Sequence, residues 1–464
     1  MFRISDPLRL VFVLLLLLCI RMPLLWQDFP LFSDELRFML LGERLNQDAR
    51  LYLDIWESVS PLFAVLCEVI DSLVGRNVFF YRLFALFLVY FQAIWFNGLF
   101  VVRDVVTERN YVPAFLYVLF MSAVPDFWIL SPELLSLTFL LITLRSVISI
   151  NEYTSDANIF GMGASMGFAV AIFLPSFVFA LWLLIGLIVF RTTEFRQYLL
   201  IFYSAFLVLL SVAAWMYAEQ LFFAFLKQYV FIHLPLTAIW RIPVVELLIL
   251  AILPTLLLTI AFFRVRLYPN YINFQLACQQ VMFIWGLNAF VVFVFCAEIS
   301  PTLLMFFVPS LVFYSNGMLL LIERKWWAEL CTLLIALVCI SYVYNSVHAY
   351  YTIPFVYNGK SLCVVRPSNF SHTQKRVLVL GSDLSYYQDN YHCMPYLNWQ
   401  LSKNHWLHLN EYETMEEVFL LFESEKPQVV VDLEGRFSLV QRKLPELARV
   451  YALESGSKNV YYRK

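Results

Sequence analysis

The sequence predicts an all-α polytopic membrane domain followed by a small C-terminal α/β domain. Of its 464 residues, 61% are hydrophobic and only 14% are charged, whereas soluble domains carry about 25% charged residues. Apolar segments of membrane-spanning length recur up to residue 344, and the chain then becomes hydrophilic. The formal net charge of −2 gives no basic surface of the kind that binds nucleic acid.

The first transmembrane helix is predicted at Leu8–Leu25. Its basic start and apolar run are similar to a signal peptide, but no small-residue cleavage site follows, so we expect the helix to be retained. A spanning helix needs about 20 apolar residues, and on that measure the chain has about eleven spans. The ten that follow the first are Phe80–Val102, Tyr111–Val124, Leu134–Ile150, Ile159–Leu174, Ser176–Phe190, Tyr198–Tyr217, Val244–Phe263, Val281–Ala297, Thr302–Ile322 and Trp326–Tyr344.

The positions of arginine and lysine between these spans predict the orientation. Cytoplasmic loops carry an excess of these residues, and all such loops except the acidic one at 151–158 are basic if the N-terminus is cytoplasmic. The basic residues concerned are Arg3, Arg9, Arg103, Arg109, Arg191, Arg196, Arg264, Arg266, Arg324 and Lys325. Residues 26–79, 219–243 and the C-terminal domain are then external, and we expect the periplasmic side of a bacterial inner membrane.

The segment SPLFAVLCEVIDSLVG, residues 60–75, is apolar but short, and it contains Glu68 and Asp71. We interpret it as a helix that lies along the outer membrane interface. If it crossed the membrane, every later loop would be inverted and the arginines would face outward, against the charge rule.

Beyond residue 345 the pattern changes to that of an α/β domain, so the predicted domains are 1–345 and 346–464. RVLVLGS (376–382), PQVVVDLEG (427–435) and NVYYRK (459–464) are typical of strands, and TMEEVFLLFESE has helical periodicity. Cys363 and Cys393 both lie in this domain. A disulfide between them is one alternative if the domain is exported to an oxidising space.

The most charged stretch near the membrane is LFSDELRFMLLGERLNQDARLYLDIWESVSPLF, residues 31–63. Apolar residues at helical spacing follow Asp34 and Glu35, which predicts an interfacial helix with two adjacent carboxylates at its N-terminal end. The plainer interpretation is helix capping by Ser33 or Asp34, with Glu35 in the first turn.

In its order of motifs the chain resembles the GT-C superfamily of membrane glycosyltransferases, notably the protein mannosyltransferase and aminoarabinose transferase group. The matching features are an acidic pair after the first span (Asp34 and Glu35), a proline-leucine pair (Pro61 and Leu62), an arginine-leucine pair at the next span (Arg82 and Leu83), an acid at the outer start of the fourth span (Glu133), the glycine-rich GMGASMGFAVAIFLPSF, and the C-terminal RVLVLGSDLSYYQDNYHCMPYLNW.

One position departs from that pattern. Many relatives have lysine-proline-proline-leucine where this chain has Val59, Ser60, Pro61 and Leu62, so the lysine that the resemblance implies for the lipid phosphate is missing. External cations that can replace it are Arg37, Arg76, Arg82, Lys227 and Arg241. Each of them is also interpretable as an interfacial anchor.

The resemblance implies sugar transfer from a polyprenyl-phosphate donor to an exported lipid, glycan or protein acceptor. A carboxylate can take the proton of the acceptor, for which we select Asp34, with Glu35 and Glu133 orienting the substrate. Cationic groups, or a divalent metal such as Mg²⁺ or Mn²⁺ held by Asp34 and Glu133, can stabilise the departing phosphate. The expected partners are therefore the lipid donor, membrane lipids and an acceptor.

Two other functions remain open on the sequence alone. The first is an inactive GT-C-like subunit that scaffolds a membrane protein complex, which the missing lysine favours. The second is a transporter that uses acids within the membrane. Glu133, Glu246 and Glu298 lie near the ends of predicted spans, which argues against a transporter.

Overall fold

A computed structural model of the chain divides into two compact units. The helical unit comprises residues 1–30, 79–215 and 233–362, and the sheet unit comprises residues 31–78, 216–232 and 363–464. The structure describes residues 8–26, 31–102, 105–106, 110–150, 154–190, 194–233, 239–268, 271–348, 363–367, 370, 372–393, 395–409, 411–454, 457 and 459–464. The orienting residues Arg3, Arg103, Arg109 and Arg191 lie outside these ranges.

The helical unit consists of long apolar helices joined by short connections. Its described α-helices are α1 (Leu8–Trp26), α4 (Val78–Val102), α5 (Val112–Ala123), α6 (Pro132–Ile148), α7 (Asp156–Ile172), α8 (Phe179–Phe190), α9 (Phe195–Ala218), α11 (Val244–Arg266), α12 (Asn273–Phe295), α13 (Val308–Leu320) and α14 (Lys325–His348). Two short strands, β1 (Ile239–Trp240) and β2 (Glu298–Ile299), pair in parallel. The protein is an integral membrane protein.

Six segments within the described residues are long and apolar enough to cross a membrane. They correspond to α4, α9, α11, α12, α14 and the stretch that ends with α13. The remaining predicted spans coincide with shorter helices, so the number of about eleven spans stays a prediction. One boundary is wrong: α12 begins at Asn273, eight residues before the predicted start, because polar glutamines in its first turns lower the hydropathy there.

Helices α7 and α9 pack closely at two glycines. A Cβ atom built on Gly163 would lie 2.0 Å from Ser204 Oγ and 2.3 Å from the Ile201 carbonyl oxygen. One built on Gly167 would lie 2.8 Å from the Ala205 carbonyl oxygen. Small residues at this spacing let membrane helices approach each other, so the glycine-rich sequence has a direct structural use.

The sheet unit gathers three separate segments of the chain. Its first segment forms α2 (Ser33–Leu45) and α3 (Pro61–Val74), and its second forms the one-turn helix α10 (Phe222–Phe225), which continues as a short π-helical segment. The third contributes α15 (Trp399–Leu407), α16 (Tyr412–Glu425), α17 (Phe437–Lys443), α18 (Pro445–Val450), β3 (Arg376–Leu380), β4 (Tyr391–His392), β5 (Val429–Asp432), β6 (Tyr451–Leu453) and β7 (Val460–Arg463).

The five strands form a mixed sheet in the order β4-β3-β5-β7-β6. Strands β3 and β5 run in parallel, and β7 is antiparallel to both of its neighbours. Alternating strands and helices bury an apolar core that includes Leu378, Val430, Trp406 and Phe422. The predicted strands at 376–382, 427–435 and 459–464 and the predicted helix between them are confirmed. The predicted domain boundary at residue 345 falls near the end of α14 and stays a prediction.

The disulfide between Cys363 and Cys393, which the sequence leaves open, does not form in the structure. All eight cysteines lie in described residues, and none of them forms a disulfide. Cys363 forms a backbone bridge with Phe32, whereas Cys393 is fully buried in the core beside β3. Burial raises the pKa of the Cys393 thiol to about 12, so this thiol is held in its neutral, unreactive form.

Candidate active site

Three charged side chains of the sheet unit form a chain of contacts that starts at Asp34. Arg37 lies one turn further along α2, and its Nη1 is 3.9 Å from Asp34 Oδ1. Its Nε is 3.4 Å from Glu57 Oε2. Glu57 is completely buried, while the side chain of Asp34 is 25% exposed. Asp34 is thus the solvent-accessible end of a buried ion-pair chain.

Glu57 is held from the other side by the C-terminal segment. Asn398 Nδ2 donates to Glu57 Oε1 at 3.2 Å and to Ser58 Oγ at 3.1 Å. The Ser58 backbone N–H also donates to Glu57 Oε1, at 2.8 Å. Since Glu57 must offer its second oxygen to Arg37, these donors fix the position of Arg37 and, through it, of Asp34.

The backbone around Glu57 is locked into the C-terminal domain. The Trp56 N–H donates to the Pro395 carbonyl at 2.8 Å, and the Asn398 N–H donates to the Trp56 carbonyl at 3.1 Å. The Trp56 ring packs edge-on against Tyr396 and His405, with centroid separations of 5.5 and 5.2 Å. Trp56 therefore serves as an apolar contact of the C-terminal core.

Tyr52 shapes the turn that precedes Glu57. Its backbone has φ +67°, in the left-handed region that costs energy for a residue with a Cβ. Its hydroxyl donates to the Val59 carbonyl at 2.6 Å, and its own carbonyl accepts from Gln228 Nε2 at 2.6 Å. These bonds from both sides hold the strained conformation and connect the loop to the 216–232 segment.

Glu35 has a structural contact of its own. Its Oε2 accepts from the backbone N–H of Phe32 at 3.2 Å, and the residue is buried. This bond satisfies an N–H at the start of α2 in the manner of a capping box. The sequence suggested Ser33 or Asp34 as the capping residue, but in the structure Glu35, at the third position of the helix, caps it through the Phe32 N–H.

A second polar network fastens α2 and α3 to the C-terminal domain. Arg44 Nη2 lies 2.8 Å from Glu425 Oε2, and Asn46 Nδ2 donates to Asp71 at 3.1 Å. Arg76 lies 3.6 Å from Glu43 and donates to backbone carbonyls between 387 and 390. Burial raises the pKa of the Glu43 carboxyl, and the Arg76 charge opposes that shift.

The other predicted cation of the sheet unit, Lys227, is exposed. It lies close enough to His405 to lower the pKa of that imidazole, although burial is the larger cause and Glu417 acts in the opposite direction. His405 Nδ1 is 3.4 Å from Glu417 Oε2. Lys227 therefore belongs to the surface beside Trp56.

In the helical unit, Glu133 and Arg241 are brought near one thiol. Glu133 lies in the first turn of α6, whose N-cap Ser131 accepts from the Leu134 N–H. Arg241 forms an ion pair with Glu298, with Nε 2.9 Å from Oε2. The charges of Glu133, Glu298 and Arg241 all act on the Cys296 thiol, whose Sγ donates to the Glu298 carbonyl at 3.1 Å.

Arg82, the fourth predicted phosphate ligand, is buried near the start of α4. As for a metal, the described residues contain no group of three or more His, Cys, Asp or Glu side chains that could hold an ion. A site that holds Mg²⁺ or Mn²⁺ through protein ligands alone needs several oxygen-bearing side chains close together. The described part of the chain has no such group.

Crystal structures of one protein are similar to nearly the whole chain. One is ArnT from Cupriavidus metallidurans bound to undecaprenyl phosphate, with a TM-score of 0.59, 13% identity and coverage of 98% of this chain and 97% of that one. ArnT is a GT-C aminoarabinose transferase. This protein has a GT-C fold.

The apo state of the same ArnT gives a TM-score of 0.56 at 12% identity, over 93% of this chain and 94% of that chain. No family model and no curated protein matches the sequence. The GT-C resemblance read from short motifs is thus confirmed in the fold, where sequence identity alone is too low to detect it.

Two residues of the GT-C fold described here escaped the sequence analysis. Glu57 is one of many charges in the 31–63 stretch, and nothing local distinguishes it from Asp54. Asn398 lies 341 residues away along the chain, so only the tertiary structure reveals that the two side chains meet. The one available signal was the Trp-Glu-Ser sequence, where an acid sits between an aromatic residue and a small polar one.

Proposed function

We propose that the protein is a GT-C-type glycosyltransferase that transfers a sugar from a polyprenyl-phosphate donor to an exported lipid, glycan or protein acceptor. The observation that carries the proposal is the match to ArnT over 98% of the chain, in a structure that contains undecaprenyl phosphate. The buried Arg37–Glu57 pair beside Asp34 supports it, because a charged pair this deep in the sheet unit is costly unless it positions something.

The chain segments that make up the sheet unit support the proposed orientation. Its three segments are 31–78, 216–232 and 363–464. Apart from residues 216–218 at the end of α9, all of them fall within the regions that the charge rule places outside the membrane. Segments on the same side can pack together, whereas segments on opposite sides of a bilayer cannot. We infer a periplasmic sheet unit and a cytoplasmic N-terminus, in a bacterial inner membrane.

In the proposed reaction, the bond between the anomeric carbon of the sugar and the phosphate oxygen breaks, and the phosphate leaves with the electron pair. The acceptor oxygen or nitrogen bonds to the anomeric carbon, and Asp34 takes its proton. Arg37 orients Asp34 through the 3.9 Å contact, and Glu57 orients Arg37. A general base gains its effect from such positioning.

The departing phosphate requires positive charge. We assign this task to Arg37, Arg82, Lys227 and Arg241, of which Arg241 would exchange Glu298 for the phosphate. Glu133 is proposed to orient the substrate, and Glu35 to fix the start of α2 through Phe32. A metal bound by Asp34 and Glu133 stays a prediction, and no step of this scheme depends on it.

The direct test is mass spectrometry of the purified protein under native conditions, followed by incubation with membrane extracts that contain acceptors. We expect a polyprenyl-phosphate sugar to copurify with the protein and to be consumed when acceptor is added. A protein that carries no such lipid and leaves an added donor intact with every acceptor fraction would contradict the proposal.

A second function, an inactive GT-C-like scaffold subunit, is favoured by two contacts. Glu35 is engaged with the Phe32 amide and Arg241 with Glu298, so both have structural work without any substrate. The two proposals differ in the effect of Asp34→Asn, which abolishes transfer by an enzyme but leaves the assembly of a scaffolded complex unchanged.

A further inference from the structure

Arg21 of α1 is a buried arginine that has no acidic counterpart within the described part of the chain. The residue is only 1% exposed. Among the residues that the structure describes, no carboxylate forms an ion pair with it, and its Nη1 has no hydrogen-bond partner. A buried charge is strongly unfavourable unless it is paired, so this arginine calls for an anion from another source.

The surroundings hold the guanidinium in place without neutralising it. Nη2 donates to the Met121 carbonyl at 2.7 Å, and Nε donates to Ser122 Oγ at 3.3 Å. Its Cζ lies over the Trp128 ring, 5.2 Å from the centroid. Both acceptors belong to the last turn of α5, whose dipole supplies only partial negative charge.

The simpler interpretation is that Arg21 caps the C-terminal end of α5. A cap accounts for Nη2, since Met121 carries one of the helix carbonyls that lack an intrahelical partner. A cap does not account for Nη1, which has no hydrogen-bond partner among the described residues. A neutral donor would also cap the same carbonyl without the cost of a buried charge. The planar guanidinium is suited to a second, oxygen-rich partner.

We propose that Arg21 binds the phosphate group of a membrane lipid, and that this lipid is the polyprenyl-phosphate donor; the second part rests on the proposed function. Arginine pairs with phosphate through two parallel N–H···O bonds. Arg21 lies five residues before the end of α1 at Trp26, close to where a lipid phosphate meets the protein while its chains stay in the bilayer. The side chains that cover the guanidinium must part to admit it.

The test measures lipid affinity of the delipidated protein in detergent for Arg21→Gln and for Arg145→Gln as the matched control. Arg145 is also an arginine over a tryptophan, 4.5 Å from the Trp95 centroid, but it lies in the last turn of α6. The probes are undecaprenyl phosphate, phosphatidylglycerol and inorganic phosphate. Loss of a charged hydrogen bond corresponds to about tenfold weaker binding or more.

We expect Arg21→Gln to weaken undecaprenyl phosphate binding about tenfold or more, with phosphatidylglycerol binding more weakly from the start and Arg145→Gln without effect. The proposal is overturned if Arg21→Gln binds undecaprenyl phosphate as tightly as the parent does. It is also overturned if only the binding of inorganic phosphate depends on Arg21. If both lipids bind equally and both depend on Arg21, the phosphate site stands and its assignment to the donor is overturned.

A capping role predicts a different result, in which Arg21→Gln melts at a lower temperature while its affinity for the lipid is unchanged. If Arg21→Gln fails to fold, a photoreactive polyprenyl phosphate on the parent protein gives the answer. Labelling of α1 or of residues 121–128 supports the site, and labelling only of other helices overturns it. Arg21-dependent binding with transfer unaffected by Asp34→Asn refutes the proposed catalytic role and leaves the phosphate site intact.

Discussion

At the scale of single residues, the geometry around Asp34 depends on a carboxylate with no contact to solvent. Glu57 accepts hydrogen bonds from Asn398 and from the Ser58 N–H on one oxygen and faces Arg37 with the other. A buried ion pair is weak evidence for stability, but removal of one partner is costly because the other charge is left behind.

We therefore expect Glu57→Gln to destabilise the protein by about 3–5 kcal/mol and to slow transfer, because Arg37 then turns toward Asp34. The measurement is thermal unfolding in detergent together with donor turnover. The control is Asp54→Asn in the same loop, whose partner Arg50 is 63% exposed; such a surface pair contributes about 0–1 kcal/mol. An equal loss in both variants would contradict the buried-pair argument.

His392 makes the stability of the sheet unit sensitive to acid. Burial lowers the pKa of this imidazole to about 3, with the charges of Arg44 and Arg76 as further causes, whereas an unfolded histidine has a pKa near 6.5. Between these values the unfolded chain binds a proton that the folded chain does not, so stability falls as the pH falls through this window.

From pH 7 to pH 5 this single residue costs about 2 kcal/mol. Glu43 and Asp71 act in the opposite direction, since burial raises their pKa values in the folded state. We expect His392→Gln to reduce the loss of melting temperature on acidification, and His408→Gln, at an exposed position, to leave it as in the parent. A His392→Gln protein that loses as much melting temperature on acidification as the parent would rule out this role.

At the scale of helices and strands, close contact between α7 and α9 depends on Gly163. A valine there would place its Cβ within 2.3 Å of the Ile201 carbonyl oxygen, and backbone cannot move aside as a flexible side chain can. Overpacking of this kind costs about 1–3 kcal/mol or more.

We expect Gly163→Val to lower the melting temperature by several degrees or to prevent folding, as judged by size-exclusion chromatography and thermal unfolding. Gly161, two residues earlier on the same helix, has nothing within 4 Å of a built Cβ. Gly161→Ala is therefore the control and should be neutral. A stable, monodisperse Gly163→Val protein would show that α7 and α9 do not pack in this way.

Local pattern sufficed to predict most elements but few of the contacts. The strand at Val429–Asp432 and the span at Val244–Arg266 are predominantly apolar segments that are evident in the sequence. The early start of α12 was missed because Gln275 and Gln279 are polar, and only the tertiary structure shows that both are buried. Glu57 and Asn398 escaped for the same reason, since neither side chain is unusual until the other is placed beside it.

At the scale of the whole molecule, all three segments of the sheet unit must lie on the same side of the membrane for the proposed transfer to an exported acceptor. We expect alkaline phosphatase fused after Lys464 to be active in the periplasm and green fluorescent protein at that site to be dark. Fusions after Glu323, between α13 and α14, should behave in the opposite way. Fluorescence from the C-terminal fusion would show that the C-terminus is cytoplasmic. It would contradict both the proposed orientation and transfer to an exported acceptor.

The role of Asp34 as proton acceptor distinguishes an enzyme from an inactive subunit, because a GT-C fold is compatible with both. The most direct measurement is the rate of sugar transfer by Asp34→Asn, compared with the parent and with Asp54→Asn at matched expression and melting temperature. We predict that Asp34→Asn loses transfer by a factor of at least about 10² while the control keeps it. Transfer at the parental rate in Asp34→Asn would contradict the central claim.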